Sequence, residues 1–181
     1  SVARNVNTTP HVVTSVPANN SSMKNLVISM PPSIIPQYAG LASFCTIEDT
    51  EKTPPLCDEP STLAGTATAD TPLLPNGTLT GKIYLEDSGG TLPYLHIRLN
   101  NDALGIEARI RLTVETIPST PTKPTHLRIS GNSNSDSTPA NIPDIPLSSL
   151  IVDLPGTATY GPISKVSSAC RKADTGTAAI E

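Results

Sequence analysis

Three cysteines, three histidines and a few clustered acids are the residues in this 181-residue chain whose types and spacing could support chemistry. Cys45 and Cys57 are separated by eleven residues, TIEDTEKTPPL, which are polar and proline-bearing. That spacing suits a disulfide stapling a surface loop, which in the chain-entropy model contributes ~3 kcal/mol by restricting the unfolded chain. Cys170 is then unpaired, or takes Cys45 or Cys57 as an alternative partner. Three buried thiols acting as small hydrophobes are the plainer alternative. A disulfide implies an oxidising compartment, and so an extracellular or cell-surface location. Zinc finds no C-x2-C pair, and His11, His96 and His126 lie far apart in the sequence. No metal or cofactor is expected.

Among possible acid–base groups, His96 alternates with Leu95 and Ile97, so it is expected on the outer, exposed face of a strand. No G-x-S-x-G motif accompanies it to supply a nucleophile. Glu107, Arg109 and Arg111, with Glu115, form one face of a strand and are the candidate ligand or contact face. The plainer reading is cross-strand ion pairing with neighbours such as Lys82 and Arg98. Glu48, Asp49, Glu51, Asp58 and Glu59 cluster in the cysteine loop without the D-x-D-x-D-G spacing that calcium favours, and read as a solvated acidic loop. No catalytic residue is assigned, and the chain does not read as an enzyme.

The elements that must position these groups are strands. Proline (19 residues) is about twice its average share, while charged residues, at 15%, are depleted. Proline and β-branched threonine both disfavour helices. Leu79, Gly81, Ile83 and Leu85 face one way, with Thr80, Lys82 and Tyr84 opposite. Ile106, Ala108, Ile110, Leu112 and Val114 alternate with Glu107, Arg109, Arg111 and Thr113, the pattern of a half-buried antiparallel strand. Similar stretches lie near residues 26–30, 63–69, 95–99, 127–129, 147–154 and 175–180. The spacing predicts an all-β, antiparallel β-sandwich, Ig-like or jelly-roll-like, of seven to nine strands with no substantial helix. Residues 1–22 read as an extended arm, with Val2, Val6, Val12, Val13 and Val16 as its apolar positions. Residues 23–181 read as a single domain with a long loop at 31–61.

Several phrases occur in a specific order: MKNLVISMPPSII from residue 23, LCDEPSTLAGTATADTPLL from 56, LTGKIYL from 79, IPDIPLSSLIVDLPG from 142 and VSSAC from 166. Together they resemble a repeat domain of large secreted or cell-surface proteins of actinobacteria, over roughly residues 23–181. The chain departs from that pattern at Ser33, where the family has glycine, and at the Ser-Ser-Ala before Cys170. The resemblance implies an extracellular, modular protein, and it transfers no catalytic residue.

With net charge −4 and only one Phe, four Tyr and no Trp, the chain lacks the basic, aromatic surface of a nucleic-acid binder. No apolar run approaches the ~20 residues of a membrane span. Starting at Ser1 without Met and ending at Glu181 in a strand-like stretch, the chain reads as a mature or an excised segment. The function expected is a non-catalytic structural subunit or repeat of an extracellular assembly, a surface fibre, pilus-like filament or stalk. Its partners are expected to be identical subunits or neighbouring repeats, linked by donor-strand pairing of the arm. A module binding a surface glycan, or a phage or virus structural protein, is the alternative.

Overall fold

The computed structural model describes residues 9–16, 23, 25–32, 34–36, 44–52, 55–57, 62–121, 124–132, 146–155, 163–166 and 177–180. Cys170, Val2, Val6, Asp58 and Glu59 lie outside them. Eleven strands form among the described residues: β1 (His11–Ser15), β2 (Asn25–Ser29), β3 (Ile34–Pro36), β4 (Leu63–Asp70), β5 (Leu79–Glu86), β6 (Tyr94–Asn101), β7 (Ile106–Ile117), β8 (His126–Asn132), β9 (Ser149–Asp153), β10 (Ile163–Val166) and β11 (Thr177–Ile180). One short helix, α1 (Ile47–Glu51), and the strand β3 interrupt what the sequence suggests is a single loop from 31 to 61.

The chain is all-β and antiparallel. The sequence predicts this class, and the ladder passes through β7 from one set of strands to the other. Nine strands form one curled sheet in the order β1-β9-β4-β5-β6-β7-β8-β2-β11, and β10 and β3 make a separate two-stranded ribbon. The curl brings the end strands β1 and β11 close to one another, although they are not paired.

Period-two alternation explains why one core suffices. Leu26 and Ile28 of β2, Ile83 and Leu85 of β5, Ile97 and Leu99 of β6, and Ile110 and Leu112 of β7 all point inward and are buried in one apolar cluster. With so few aromatics, this cluster is aliphatic, as the composition requires.

Strand β7 carries the sheet round its bend. Residues 106–112 pair with β6, and residues 113–117 pair with β8. Two glycines let the sheet curl tightly elsewhere. A Cβ on Gly81 of β5 would sit 1.6 Å from the Arg98 carbonyl oxygen of β6, and one on Gly65 of β4 would sit 2.0 Å from that of Asp153. Strand glycines of this kind mark close backbone approach at a bend.

The segment expected as a free arm contributes β1, which pairs with β9 of the same chain in the register His11↔Asp153 to Ser15↔Ser149. Val12 and Val16 pack on the core, while Val13 stays exposed. The sheet therefore begins before residue 23.

Candidate functional site

The polar groups singled out by type and spacing converge on the outer face of β5, β6 and β7. Strand register lines them up: Tyr84, His96 and Arg111 lie side by side across the three strands, and so do Lys82, Arg98 and Arg109. Three cations in a row would repel one another if nothing intervened. What intervenes is the cysteine loop.

Cys45 and Cys57 form a disulfide with a Cα–Cα separation of 5.7 Å, within the range such a bond needs. Both ends of the loop are fixed to β5. Cys45 donates its N–H to the Leu85 carbonyl and accepts from Asp87 N–H, while Thr62, whose hydroxyl donates to the Cys57 carbonyl, accepts from Leu85 N–H. The polar sequence around the cysteines suggests exposure, but they are 5% and 4% exposed, packed on Tyr84 and Leu63. Burying its disulfide on the sheet lets the loop act as a lid.

The lid holds α1, whose sequence Thr46-Ile47-Glu48-Asp49 starts a helix for a local reason. Asp49 N–H donates to the Thr46 hydroxyl oxygen at 3.1 Å, and the Thr46 hydroxyl donates to the Asp49 carboxylate at 2.8 Å. The first bond satisfies one orphan N–H of this single turn, and the second holds the capping hydroxyl in place. The C-terminal carbonyls have no basic residue of their own turn. Arg98 supplies the cation from the sheet, donating to the carbonyls of Thr50 and Lys52. Positive charge is favourable at a helix C-terminus.

Beneath α1 lies a buried cluster. His96, expected on an exposed face, is only 1% exposed, and Glu86 is fully buried. The correction has a simple cause: period two assigns His96 to the outer face, as observed, but that face is covered by a segment some forty-five residues away in sequence. His96 Nδ1–H donates to Glu86 Oε2 at 2.7 Å, the Thr50 hydroxyl donates to the same oxygen at 2.5 Å, and Arg111 Nε lies 2.6 Å from Glu86 Oε1. Burial pushes the Glu86 carboxyl up, but the hydrogen bonds from His96, Thr50 and Arg111 and the Arg111 charge outweigh it and hold the carboxyl below its ordinary range.

The Glu107, Arg109 and Arg111 face makes ion pairs, as the plainer sequence reading expects. Arg98 pairs with Glu107, Arg109 with Glu107 at 2.8 Å, and Arg109 and Arg111 both with Glu51 of α1. Glu51, read from sequence as part of a solvated acidic loop, is thus a bridge from the lid to two arginines. The Arg109 hydrogen bond, ahead of the opposing effect of burial, keeps the Glu107 carboxyl low.

Chemically, a histidine whose Nδ1–H is held by a carboxylate is oriented as a base is in many hydrolases. Here Nε2, the atom that would take a proton, is itself buried and has no hydrogen-bond partner among the described residues. Beside the lid runs a cleft of about 460 Å³ whose lining places Lys82 and Arg98 with Asp102 and Glu107 among the apolar Tyr84, Leu99 and Ile106. Among the described residues no group of three or more His, Cys, Asp or Glu side chains could hold a metal ion, and no helix is long and apolar enough to cross a membrane.

No family model matches the chain, and it matches no curated protein and no solved structure.

Proposed function

We propose that the chain is a non-catalytic structural module of an extracellular assembly, joined to copies of itself or to neighbouring repeats. The observation that carries this reading is the sealed state of the best acid–base group: His96 and Glu86 are buried beneath a disulfide-closed lid, where they tie the lid to the sheet. The disulfide is compatible with an oxidising, extracellular setting. The low charge density of the sequence favours close subunit contacts, since fewer charges must be desolvated on association. A glycan-binding module has less support, because Tyr84, which lines the cleft beside the lid, is 2% exposed and offers no face for a sugar to stack on.

Negative-stain microscopy and sedimentation of the purified, oxidised chain test this. Filaments or a defined oligomer growing with protein concentration are expected. A strict monomer at every concentration would remove the reading.

A further inference from the structure

The hand-over in β7 leaves an opening. Its pairing with β6 ends at Leu95↔Leu112, and its pairing with β8 starts at Thr113↔Ser130. Residues 113–117 therefore have β8 on one side and, among the described residues, no backbone partner on the other. Proline explains why β6 stops there. Pro93, immediately before Tyr94, has no N–H to continue the ladder, and the chain turns away through Gly89 and Gly90.

Between the diverging segments runs an open groove of about 660 Å³, with Ser88, Thr91, Leu92 and Tyr94 on one wall and residues 113–116 on the other. The two end strands of the sheet, by contrast, lie beside each other, whereas the β7 edge borders this open groove. An unpaired strand edge is a template for adding a strand, with main-chain hydrogen bonds giving affinity and side-chain alternation giving register.

We propose that this edge accepts a β-strand from a second copy of the chain, supplied by residues 2–6. The inference rests on the assembly reading above. Two features select that occupant. The segment lies ahead of β1, which is already committed to β9 of its own chain, so residues 2–6 can be donated without breaking the β1–β9 ladder. Its sequence, Val-Ala-Arg-Asn-Val, also matches the groove in length and charge. Five residues meet the five of 113–117, and Arg4 is its sole charge, as Glu115 is that of the groove lining. Glu115 already holds Arg128 at 2.7 Å but is only half covered, leaving its carboxylate accessible to a second cation. An arm-to-edge contact is heterologous, and repetition generates open chains of subunits.

The test uses three forms of the full protein: the parent chain, a variant lacking residues 1–8, and Thr116→Lys, which places a cation in the groove at an exposed position. Each variant alone should need a roughly tenfold or higher concentration to assemble than the parent. Mixed together, the arm-less variant offers an intact edge and Thr116→Lys an intact arm, so a one-to-one heterodimer should form and stop there. Leu92→Lys repeats the edge block from the opposite wall. If the parent assembles and the arm-less variant assembles equally well, or the mixture gives no heterodimer, the inference is overturned while the assembly reading stands. If the arm-less variant still assembles but Thr116→Lys does not, some other strand fills the edge, and residues 2–6 are ruled out. A parent that never assembles removes both.

Discussion

Glu86→Gln should destabilise the folded chain by about 1–3 kcal/mol at neutral pH, the range for stripping charge-assisted hydrogen bonds from a buried group, since Arg111 keeps Glu51 as a partner. The carboxylate is fully buried and takes His96, Thr50 and Arg111 on its two oxygens, so an amide of equal size loses the charge that Arg111 faces. The same substitution should flatten the acid limb of the stability curve. Because the folded Glu86 carboxyl sits below its ordinary value of 4.5, its contribution is present above that pH and is lost as the pH falls through the folded value. Glu107 is also held low, so the variant keeps part of the acid sensitivity. Urea unfolding from pH 7 to pH 3 measures both effects. A loss under 1 kcal/mol, with the two pH curves parallel, would show that the cluster does not anchor the lid.

The second large effect is expected at Gly81. Alanine there would place Cβ 1.6 Å from the Arg98 carbonyl oxygen and 2.9 Å from the Leu99 Cα. Both are backbone atoms, so no side chain can swing away, and β5 and β6 must separate locally. A loss of about 3 kcal/mol or more follows, at the upper end of what overpacking costs, which at this chain length lowers Tm by roughly 6–12 °C. Moving Arg98 would also pull its guanidinium from the α1 carbonyls, so the lid should loosen as well. Gly77→Ala is the control. That glycine has φ +73° but nothing within 4 Å, so its cost is the left-handed backbone alone, about 1–2 kcal/mol. Thermal unfolding compares the two, and a Gly81→Ala protein as stable as Gly77→Ala would contradict the close packing of these strands.

What could be read from sequence followed from local period. Leu79, Ile83 and Leu85, and Ala108, Ile110 and Leu112, alternate because one face of each strand is buried, and the structure places them inward. The expected Cys45–Cys57 bond is present. Period two, however, tells which face a residue occupies and nothing of what covers that face. Period two thus puts His96 on an exposed face and the polar cysteine loop, with Glu51, in solvent, whereas that loop docks on the sheet through its buried disulfide, covers His96 and pairs Glu51. A signal for the lid was present in Thr46-x-x-Asp49, a helix-start motif, but one turn is too short to stand out against proline-rich surroundings. Glu86 offered no signal, since a lone acid at a strand end looks solvated until Thr50 is brought to it. The change of partner along β7 also escapes local pattern, because the alternation runs unbroken through Leu112 and Thr113.

The order of strands in the sheet also sets an order in time. From β4 to β8 each strand pairs with the next along the chain, so these ladders close over short loops. β9 and β1 come from opposite ends of the sequence, with Val12 facing Val152, and β2 reaches across to β8. Long loops are entropically costly to close before the contacts that reward them exist. The central meander should therefore assemble first, with strands from both ends of the chain wrapping onto it afterwards. Amide exchange of the native protein should show the reverse sequence, with β1 opening at lower free energy than β5 and β6. Uniform protection across all three would mean instead that the meander and its wrapping strands form one cooperative unit.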